Sequence, residues 1–224
     1  MIIDLGSFIE KMRKDFAFRT LVFSCCSLAA EIAYAAFNFV VCTLYRSTWY
    51  GAAGCYQLAL AIMRGGVLYR RKADAKRVPD RADVREIRRY AACGGAIALL
   101  TVFLSAMVVL IAGRAKTFTY SPTVMYIHAG YTFYVLGAAV YNFFKSRRQK
   151  NFTVRTLRCI NLAAAPVCFL SLQSAALALY SQHLDQPTAN AVTGCIVCAL
   201  VLALGAFMIA NAVYHLKKGI DRAQ

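Results

Sequence analysis

The sequence predicts an all-α, polytopic membrane protein with six transmembrane helices. Of its 224 residues, 60% are hydrophobic and 16% are charged, whereas a typical soluble domain has about 25% charged residues. The formal net charge is +16, and 22 of the 26 Lys and Arg residues fall in the blocks 11–19, 70–89, 145–158 and 217–222. The apolar runs between these blocks have the length of about 20 residues that crosses a bilayer. The pattern excludes a soluble enzyme, a disordered chain and a disulfide-stapled secreted domain.

Six spans follow from these runs. They are residues 19–45, 48–69, 90–112, 124–144, 157–180 and 190–216. Each must be a helix, because lipid offers the backbone no hydrogen-bond partners. Together they form a transmembrane domain over 19–216, followed by a cytoplasmic tail at 217–224.

The first 18 residues are too charged to cross a membrane. Apolar residues nevertheless recur at three- and four-residue spacing along this segment: Leu5, Phe8, Ile9, Met12 and Phe16. This pattern predicts an amphipathic helix over residues 1–18 that lies in the membrane interface.

The orientation follows from the basic residues in the short loops. Both tails and the loops 70–89 and 145–158 hold nearly all the positive charge, and the other loops hold only Arg46, Arg114 and Lys116. Both termini are therefore expected in the cytoplasm. We expect the basic blocks to contact anionic lipid headgroups rather than nucleic acid. The residues expected at headgroups are Arg70, Arg71, Lys72, Lys145, Arg147 and Arg148.

The chain also resembles three tandem copies of a helical hairpin. The odd spans begin near Arg19, Arg88 and Arg155, and the even spans carry Gly54, Gly130 and Gly194 near their outer ends. Tandem hairpins occur in transporters. The alternative is that every hairpin with cytoplasmic ends begins and finishes with basic residues, whether or not it is a repeat.

Glu31 is the most informative polar residue, because it lies near the centre of the first span. An acidic residue at this depth costs several kcal/mol and is by default a functional candidate. It belongs to a continuous polar stripe on one helix face: Ser24, Ser27, Glu31, Tyr34 and Asn38. Such a face must turn to the interior of the bundle.

The second span offers a facing stripe of Gly54, Gln57, Ala61 and Arg64. Counted from the cytoplasmic ends, Gln57 lies level with Glu31, and Arg64 lies about 10 Å nearer the cytoplasm. We therefore expect an uncharged Glu31 that hydrogen-bonds to Gln57 or to another helix. Arg64 is expected to extend to the membrane surface, and the alternative is a relayed or water-bridged contact between Arg64 and Glu31. The alternative role for this cluster is structural, as a polar contact that holds helices together.

Fewer polar residues stand out in the later spans. His128 is expected to be an interfacial histidine rather than a ligand, and Pro166 is expected to kink the fifth helix. Gln173 is a further polar candidate in the fifth span. The candidate substrate- or ion-binding residues are thus Glu31, Gln57, Arg64, Asn38 and Gln173.

The nine cysteines all fall inside the spans, where cysteine acts as a small apolar residue. Their odd number and their absence from the outer loops argue against a disulfide framework. No Walker loop, Gly-x-Ser-x-Gly elbow or His-Glu-x-x-His pattern occurs. We therefore expect no catalytic residues, no metal and no cofactor.

Three further segments are informative: Tyr131-Thr132-Phe133-Tyr134, residues 160–164 and residues 170–174. They resemble an uncharacterised family of small six-span membrane proteins from clostridia-type bacteria. The resemblance covers about the last four spans. It implies a bacterial cytoplasmic (inner) membrane location and assigns no activity and no site residue.

The leading functional hypothesis is a small-solute or ion transporter or channel with a polar cavity around Glu31. The competing hypothesis is a non-catalytic accessory subunit or scaffold that binds lipid or a partner, including a substrate-binding subunit of a larger transporter. The expected protein partner is a second copy of the chain or another membrane subunit.

Overall fold

A computed structural model of the protein describes residues 16–74, 82–112, 121–145, 152–180 and 186–221. Within these ranges the chain forms α-helices and no strand, which confirms the predicted all-α class for this part of the chain. The helices are α1 (Phe16–Tyr45), α2 (Thr48–Asp74), α3 (Ala82–Ala112), α4 (Pro122–Lys145), α5 (Phe152–Tyr180) and α6 (Gln186–Asp221). Apart from residues 16–18, the predicted amphipathic helix lies outside the described residues.

Five of the described helices contain a segment long and apolar enough to cross a membrane. These segments are Val22–Tyr45, Val84–Val109, Pro122–Tyr141, Phe152–Tyr180 and Thr188–Lys218. The chain is therefore an integral, multi-pass helical membrane protein. The helix α2 is not among the five, because glycines, Gln57 and Arg64 dilute its apolar residues.

The central helix of the bundle is α5. It packs against α2, α3, α4 and α6. It runs through Pro166 as one continuous helix, although Pro166 leaves the Leu162 carbonyl without its usual backbone donor. One residue further along, the Ala163 carbonyl accepts a 3.3 Å hydrogen bond from the Tyr56 hydroxyl of α2. A side chain from a neighbouring helix thus contacts the backbone of α5 beside the proline.

Two residues join α1 to α2, so these helices form a tight antiparallel pair. Arg46 adopts a left-handed conformation with φ of 48°, as is common for the residue after a helix end. The carbonyl of the buried Ser47 accepts a 3.4 Å hydrogen bond from the Gly51 amide in the first turn of α2. The short connection fixes which residues of α1 face which residues of α2.

The helices α3 and α6 pack closely through glycine. A β-carbon on Gly94 would lie 2.8 Å from the Met208 β-carbon and 3.0 Å from the Gly205 carbonyl oxygen. Near the other end of the pair, Gly194 lies against Val108. Small residues allow this approach, which maximises van der Waals contact between helices in a membrane.

This packing differs from the three-hairpin arrangement. Among the described residues, α3 packs mainly against α6 and α4 mainly against α5, so the expected middle hairpin is not an extensively packed pair. The three glycines of the proposed repeat also have different surroundings. Gly54 lies against Phe39, Gly194 lies against Val108, and a β-carbon on Gly130 would meet no described atom within 4 Å. The basic residues that recur at the helix ends are therefore explained by the general excess of Lys and Arg in cytoplasmic loops, without a repeat.

The glycine contact yields the first prediction. Gly94→Ala should lower the free energy of unfolding by about 1–3 kcal/mol, because the new methyl group meets Met208 and a backbone carbonyl. Gly95→Ala is the matched control, since a β-carbon there would meet no described atom within 4 Å. It should leave stability unchanged or raise it slightly, because alanine favours the helix. Unfolding in mixed micelles measures both variants, and equal stability of the two would contradict the close packing of α3 on α6.

Candidate functional site

A buried arginine joins three helices in the middle of the bundle. The Nε atom of Arg64 on α2 lies 3.4 Å from Oε2 of Glu31 on α1, and the two side chains are 4% and 1% exposed. Arg64 also donates hydrogen bonds from Nη1 to the Ser27 hydroxyl on α1 and from Nη2 to the Asn161 side-chain oxygen on α5. We call Ser27, Glu31, Arg64 and Asn161 the charged cluster.

The expectation that Arg64 lies about 10 Å from Glu31 and reaches the surface is wrong. Glu31 precedes the turn 46–47 by 15 residues and Arg64 follows it by 17, so their levels differ by about 3 Å. Counting from Tyr69 misplaced Arg64, because α2 continues to Asp74. Side chains on a helix lean toward its N-terminus. In this antiparallel pair the two side chains therefore lean toward each other.

The charged cluster is incompletely hydrogen-bonded. Neither carboxylate oxygen of Glu31 has a hydrogen-bond partner among the described residues, so its contact with Arg64 is a charge contact alone. Buried charges are normally both paired and hydrogen-bonded, because leaving water costs each of them several kcal/mol. Glu31 therefore keeps free acceptor capacity in the interior of the protein.

The expected hydrogen bond between Gln57 and Glu31 is not formed. The Nε2 atom of Gln57 donates a 3.1 Å hydrogen bond to the Cys168 sulfur on α5, and its Oε1 atom has no partner in the described part of the chain. Gln57 lies seven residues before Arg64 on α2, and Cys168 lies seven residues after Asn161 on α5. The two residues consequently meet about 10 Å nearer the turn 46–47 than the charged cluster.

His128 on α4 is fully buried rather than interfacial, so that expectation is wrong. It is 0% exposed, and its Nδ1 atom lies 2.6 Å from the Tyr34 hydroxyl oxygen. Its ring stacks on Tyr50 at 5.0 Å between centroids and meets the edge of Phe37 at 5.2 Å. We call Tyr34, Phe37, Tyr50 and His128 the aromatic box. The Nε2 atom of His128 has no hydrogen-bond partner among the described residues.

Two other expected site residues lie elsewhere. Asn38 is buried, and its side-chain nitrogen donates a 2.8 Å hydrogen bond to the Tyr34 carbonyl of its own helix. Gln173 donates a 2.9 Å hydrogen bond to the Thr193 hydroxyl and so links α5 to α6. It lies twelve residues beyond Asn161, or about 18 Å along the helix. The structure brings Glu31 and Arg64 together and leaves Asn38 and Gln173 out of the charged cluster.

Sequence reasoning did not assign His128, Cys168 and Asn161 to the site. A signal for His128 was present, because it falls on the buried stripe of α4 with Val124, Thr132, Val135 and Ala139. That stripe has helical spacing and identifies the face of α4 that packs inward. Asn161 and Cys168 are one heptad apart on α5, which places them on one face.

The predicted headgroup residues lie at helix ends or beyond the described ranges. Arg70 is exposed and Arg71 is half-buried in the last turns of α2. Lys72 belongs to the end of α2, and Lys145 is the last residue of α4. Arg147 and Arg148 lie outside the described residues.

An apolar cavity of about 390 Å³ lies between α4, α5 and α6. Its lining includes Leu136, Val140, Pro166, Phe169 and Ile196. No residue of the charged cluster lines it. The described residues contain no group of three or more His, Cys, Asp or Glu side chains that could hold a metal ion.

The fold and the buried cluster thus define a helical, multi-pass membrane protein with an ion pair inside the bundle. No protein-family model and no curated protein matches the sequence.

The ion pair yields the second prediction. Arg64→Met should lower the free energy of unfolding by about 3–5 kcal/mol, because it leaves the Glu31 carboxylate buried without a cation. Adding Glu31→Gln to this variant should recover at least half of the loss, since no uncompensated charge then remains. Unfolding of the single and double variants in mixed micelles tests the coupling. Wild-type stability for Arg64→Met would show that the two side chains do not interact.

Proposed function

We propose that the protein is a small-solute or ion transporter or channel whose binding site lies at Glu31, between α1, α2 and α5. The observation that carries this proposal is the set of buried polar atoms without hydrogen-bond partners among the described residues. They include both Glu31 oxygens, Gln57 Oε1 and His128 Nε2. A polar network that serves only to join helices is expected to be fully paired. Free acceptors in the interior favour a ligand that is cationic or donates hydrogen bonds.

The same contacts suggest how binding could change the structure. Arg64 contacts Ser27 and Glu31 on α1 and Asn161 on α5. A cation or proton that binds Glu31 weakens the attraction between Glu31 and Arg64. The contacts of α2 with α1 and α5 are thereby coupled to occupancy of the site, as transport requires. Ionisable residues inside a membrane commonly mark such pathways.

We further propose that all six helices span a bacterial cytoplasmic membrane, with both termini in the cytoplasm. Including α2 as a span is supported by its length of 27 residues, or about 40 Å, and by its packing against α1, α3 and α5. The orientation is supported by the basic blocks that follow α2, α4 and the apolar part of α6. The proposal includes no catalytic step.

A second candidate is a non-catalytic accessory subunit or scaffold. The observation that favours it is the closed packing of Glu31, which is 1% exposed and borders no part of the apolar cavity. In that case Arg64 serves to hold α1, α2 and α5 together. The two candidates differ in whether the protein moves an ion.

The third prediction tests this difference in liposomes that contain the purified protein. Proton, Na⁺ and K⁺ gradients are imposed in turn, and their decay is compared with that in protein-free liposomes. We expect the wild-type protein to discharge at least one gradient and Glu31→Gln to abolish the discharge, because the amide has no negative charge to attract a cation and cannot exchange a proton.

The matched control is Glu86→Gln. The Glu86 carboxylate is half-buried on α3 and accepts a 2.9 Å hydrogen bond from the Thr153 hydroxyl, away from the charged cluster. The Glu86→Gln variant should retain the wild-type flux. A wild-type protein that discharges none of the three gradients would favour the accessory role. Full activity of a folded Glu31→Gln variant would exclude Glu31 as the ion site.

The fourth prediction concerns lipid. We propose that the basic helix ends contact anionic headgroups, at about 1 kcal/mol per charge near the surface. Native mass spectrometry should show that the protein retains phosphatidylglycerol in preference to phosphatidylcholine, and Arg70→Gln with Arg71→Gln should weaken the preference. Arg46→Gln is the control, because Arg46 is exposed at the opposite end of α2. Equal retention of both lipids by the wild-type protein would count against this proposal.

A further inference from the structure

The aromatic box and the charged cluster lie along one face of α2. Tyr50, Gln57 and Arg64 are each seven residues apart, so they project on the same side at intervals of about 10 Å. Tyr50 stacks on His128, Gln57 bonds to Cys168, and Arg64 contacts Glu31. Buried polar groups therefore follow one another over about 21 Å, which is about two thirds of the hydrocarbon thickness of a bilayer.

The helix α1 connects the same two sites. Glu31 and Tyr34 are three residues apart and therefore neighbours on one helix face. The Tyr34 hydroxyl reaches His128 at 2.6 Å, and the Tyr34 ring stacks on Tyr131 at 3.8 Å between centroids. Tyr34 thus contacts His128 directly, neighbours Glu31 along α1, and has the Tyr131 ring stacked against it.

We propose that His128, Tyr34 and Glu31 form a proton path in which His128 is the proton-binding site nearer the turn between α1 and α2. This inference rests on the proposed function and identifies the proton as the ion that binds Glu31. It gives a role to His128 Nε2, the free Glu31 oxygens and Gln57 Oε1, which are buried and lack hydrogen-bond partners in the described part of the chain.

Each group on this path that releases a proton also gains one. A proton binds Nε2 of His128 while the imidazole gives up its Nδ1 proton to the Tyr34 oxygen. The Tyr34 hydroxyl proton passes along a chain of water molecules, one of which donates a hydrogen bond to Gln57 Oε1, and the last of them protonates a Glu31 oxygen. One proton enters at His128, one is bound at Glu31, and no bond between heavy atoms changes. The imidazole is left with its proton on Nε2, and the path is reset when Nε2 releases that proton and Nδ1 binds another.

The surroundings of His128 suit a relay. The titratable groups that face it are Tyr34 from α1 and Tyr50 from α2, with Tyr131 of its own helix α4 stacked against Tyr34. From α5, the Cys168 thiol accepts a hydrogen bond from Gln57 on the neighbouring α2. Imidazole is suited to the task because it can bind a proton at one nitrogen while releasing one from the other. The charged groups Glu31 and Arg64 lie further from the turn.

A purely structural role for His128 predicts different behaviour. In that role it only holds Tyr34, and so joins α4 to α1. His128→Gln separates the two roles, because the amide group can still hydrogen-bond to the Tyr34 hydroxyl but cannot relay a proton. Tyr34→Phe is a second variant that keeps the ring stacking and removes the hydroxyl group. His215→Gln is the control, since His215 on α6 contacts the Phe152 and Tyr214 rings instead.

The experiment measures proton flux into liposomes that contain a trapped pH-sensitive dye, with a membrane potential imposed by a K⁺ gradient and valinomycin. We expect His128→Gln and Tyr34→Phe each to lower the wild-type flux by about a hundredfold or more. The His215→Gln variant should keep it. The double variant His128→Gln with Glu31→Gln should be no slower than Glu31→Gln alone, because both residues act on one path. Emission from Trp49, which is buried next to Tyr50 and is the only tryptophan of the chain, checks that each variant is folded.

The outcomes separate the path from the proposed function. Proton flux that is lost in Glu31→Gln but retained in folded His128→Gln and Tyr34→Phe would overturn the path and leave the transport proposal intact. Discharge of Na⁺ or K⁺ gradients by a wild-type protein that moves no protons would also overturn the proton path and leave the transport proposal intact. A wild-type protein that moves none of these ions would overturn both.

Discussion

The contact between Arg64 and Glu31 is the constraint on which the arrangement of the first helices depends. A guanidinium group in an apolar interior costs several kcal/mol unless charged and polar partners surround it. Arg64 obtains those partners from two neighbouring helices, with Ser27 and Glu31 on α1 and Asn161 on α5. The burial of this one side chain is therefore tolerated when α1, α2 and α5 are assembled together. The two-residue turn between α1 and α2 makes the contact possible, because it sets Glu31 and Arg64 at nearly the same level.

The rest of the bundle is held by packing of a different kind. On the far side, α3 and α6 approach closely through Gly94, Gly205 and Gly194, where apolar contact and small residues suffice. The central helix α5 touches both parts, since it packs against α2 and α4 as well as against α3 and α6. A polar, incompletely hydrogen-bonded half thus lies beside an apolar, closely packed half. A movement of helices costs less free energy where the buried polar atoms have no hydrogen bonds to break. For this reason we propose that the function lies at Glu31 rather than between α3 and α6.

Much of the fold could be predicted from the sequence, because the segregation of charge and the length of the apolar runs follow directly from the physics of a bilayer. The inward-facing stripe with Glu31, Tyr34 and Asn38 was predictable for the same reason, and the structure confirms that these three residues are buried. The pairing of Glu31 was predicted wrongly, because depth was counted from an assumed helix end instead of from the turn. The packing of α3 on α6 and the burial of His128 depend on contacts between distant segments. Helical periodicity gives the inward face of a helix but not the helix that it meets.

Solid-state NMR can test the central contact directly in lipid bilayers. The chain contains three glutamates, so labelling arginine with ¹⁵N and the glutamate carboxyl carbon with ¹³C gives few pairs to assign. We expect a dipolar coupling between Arg64 Nε and the Glu31 carboxyl carbon that agrees with the 3.4 Å separation of Nε and Oε2. The coupling should disappear in Arg64→Lys and persist in Glu86→Gln. A wild-type protein without this coupling would contradict the buried ion pair and the assignment of Glu31 as the ion site.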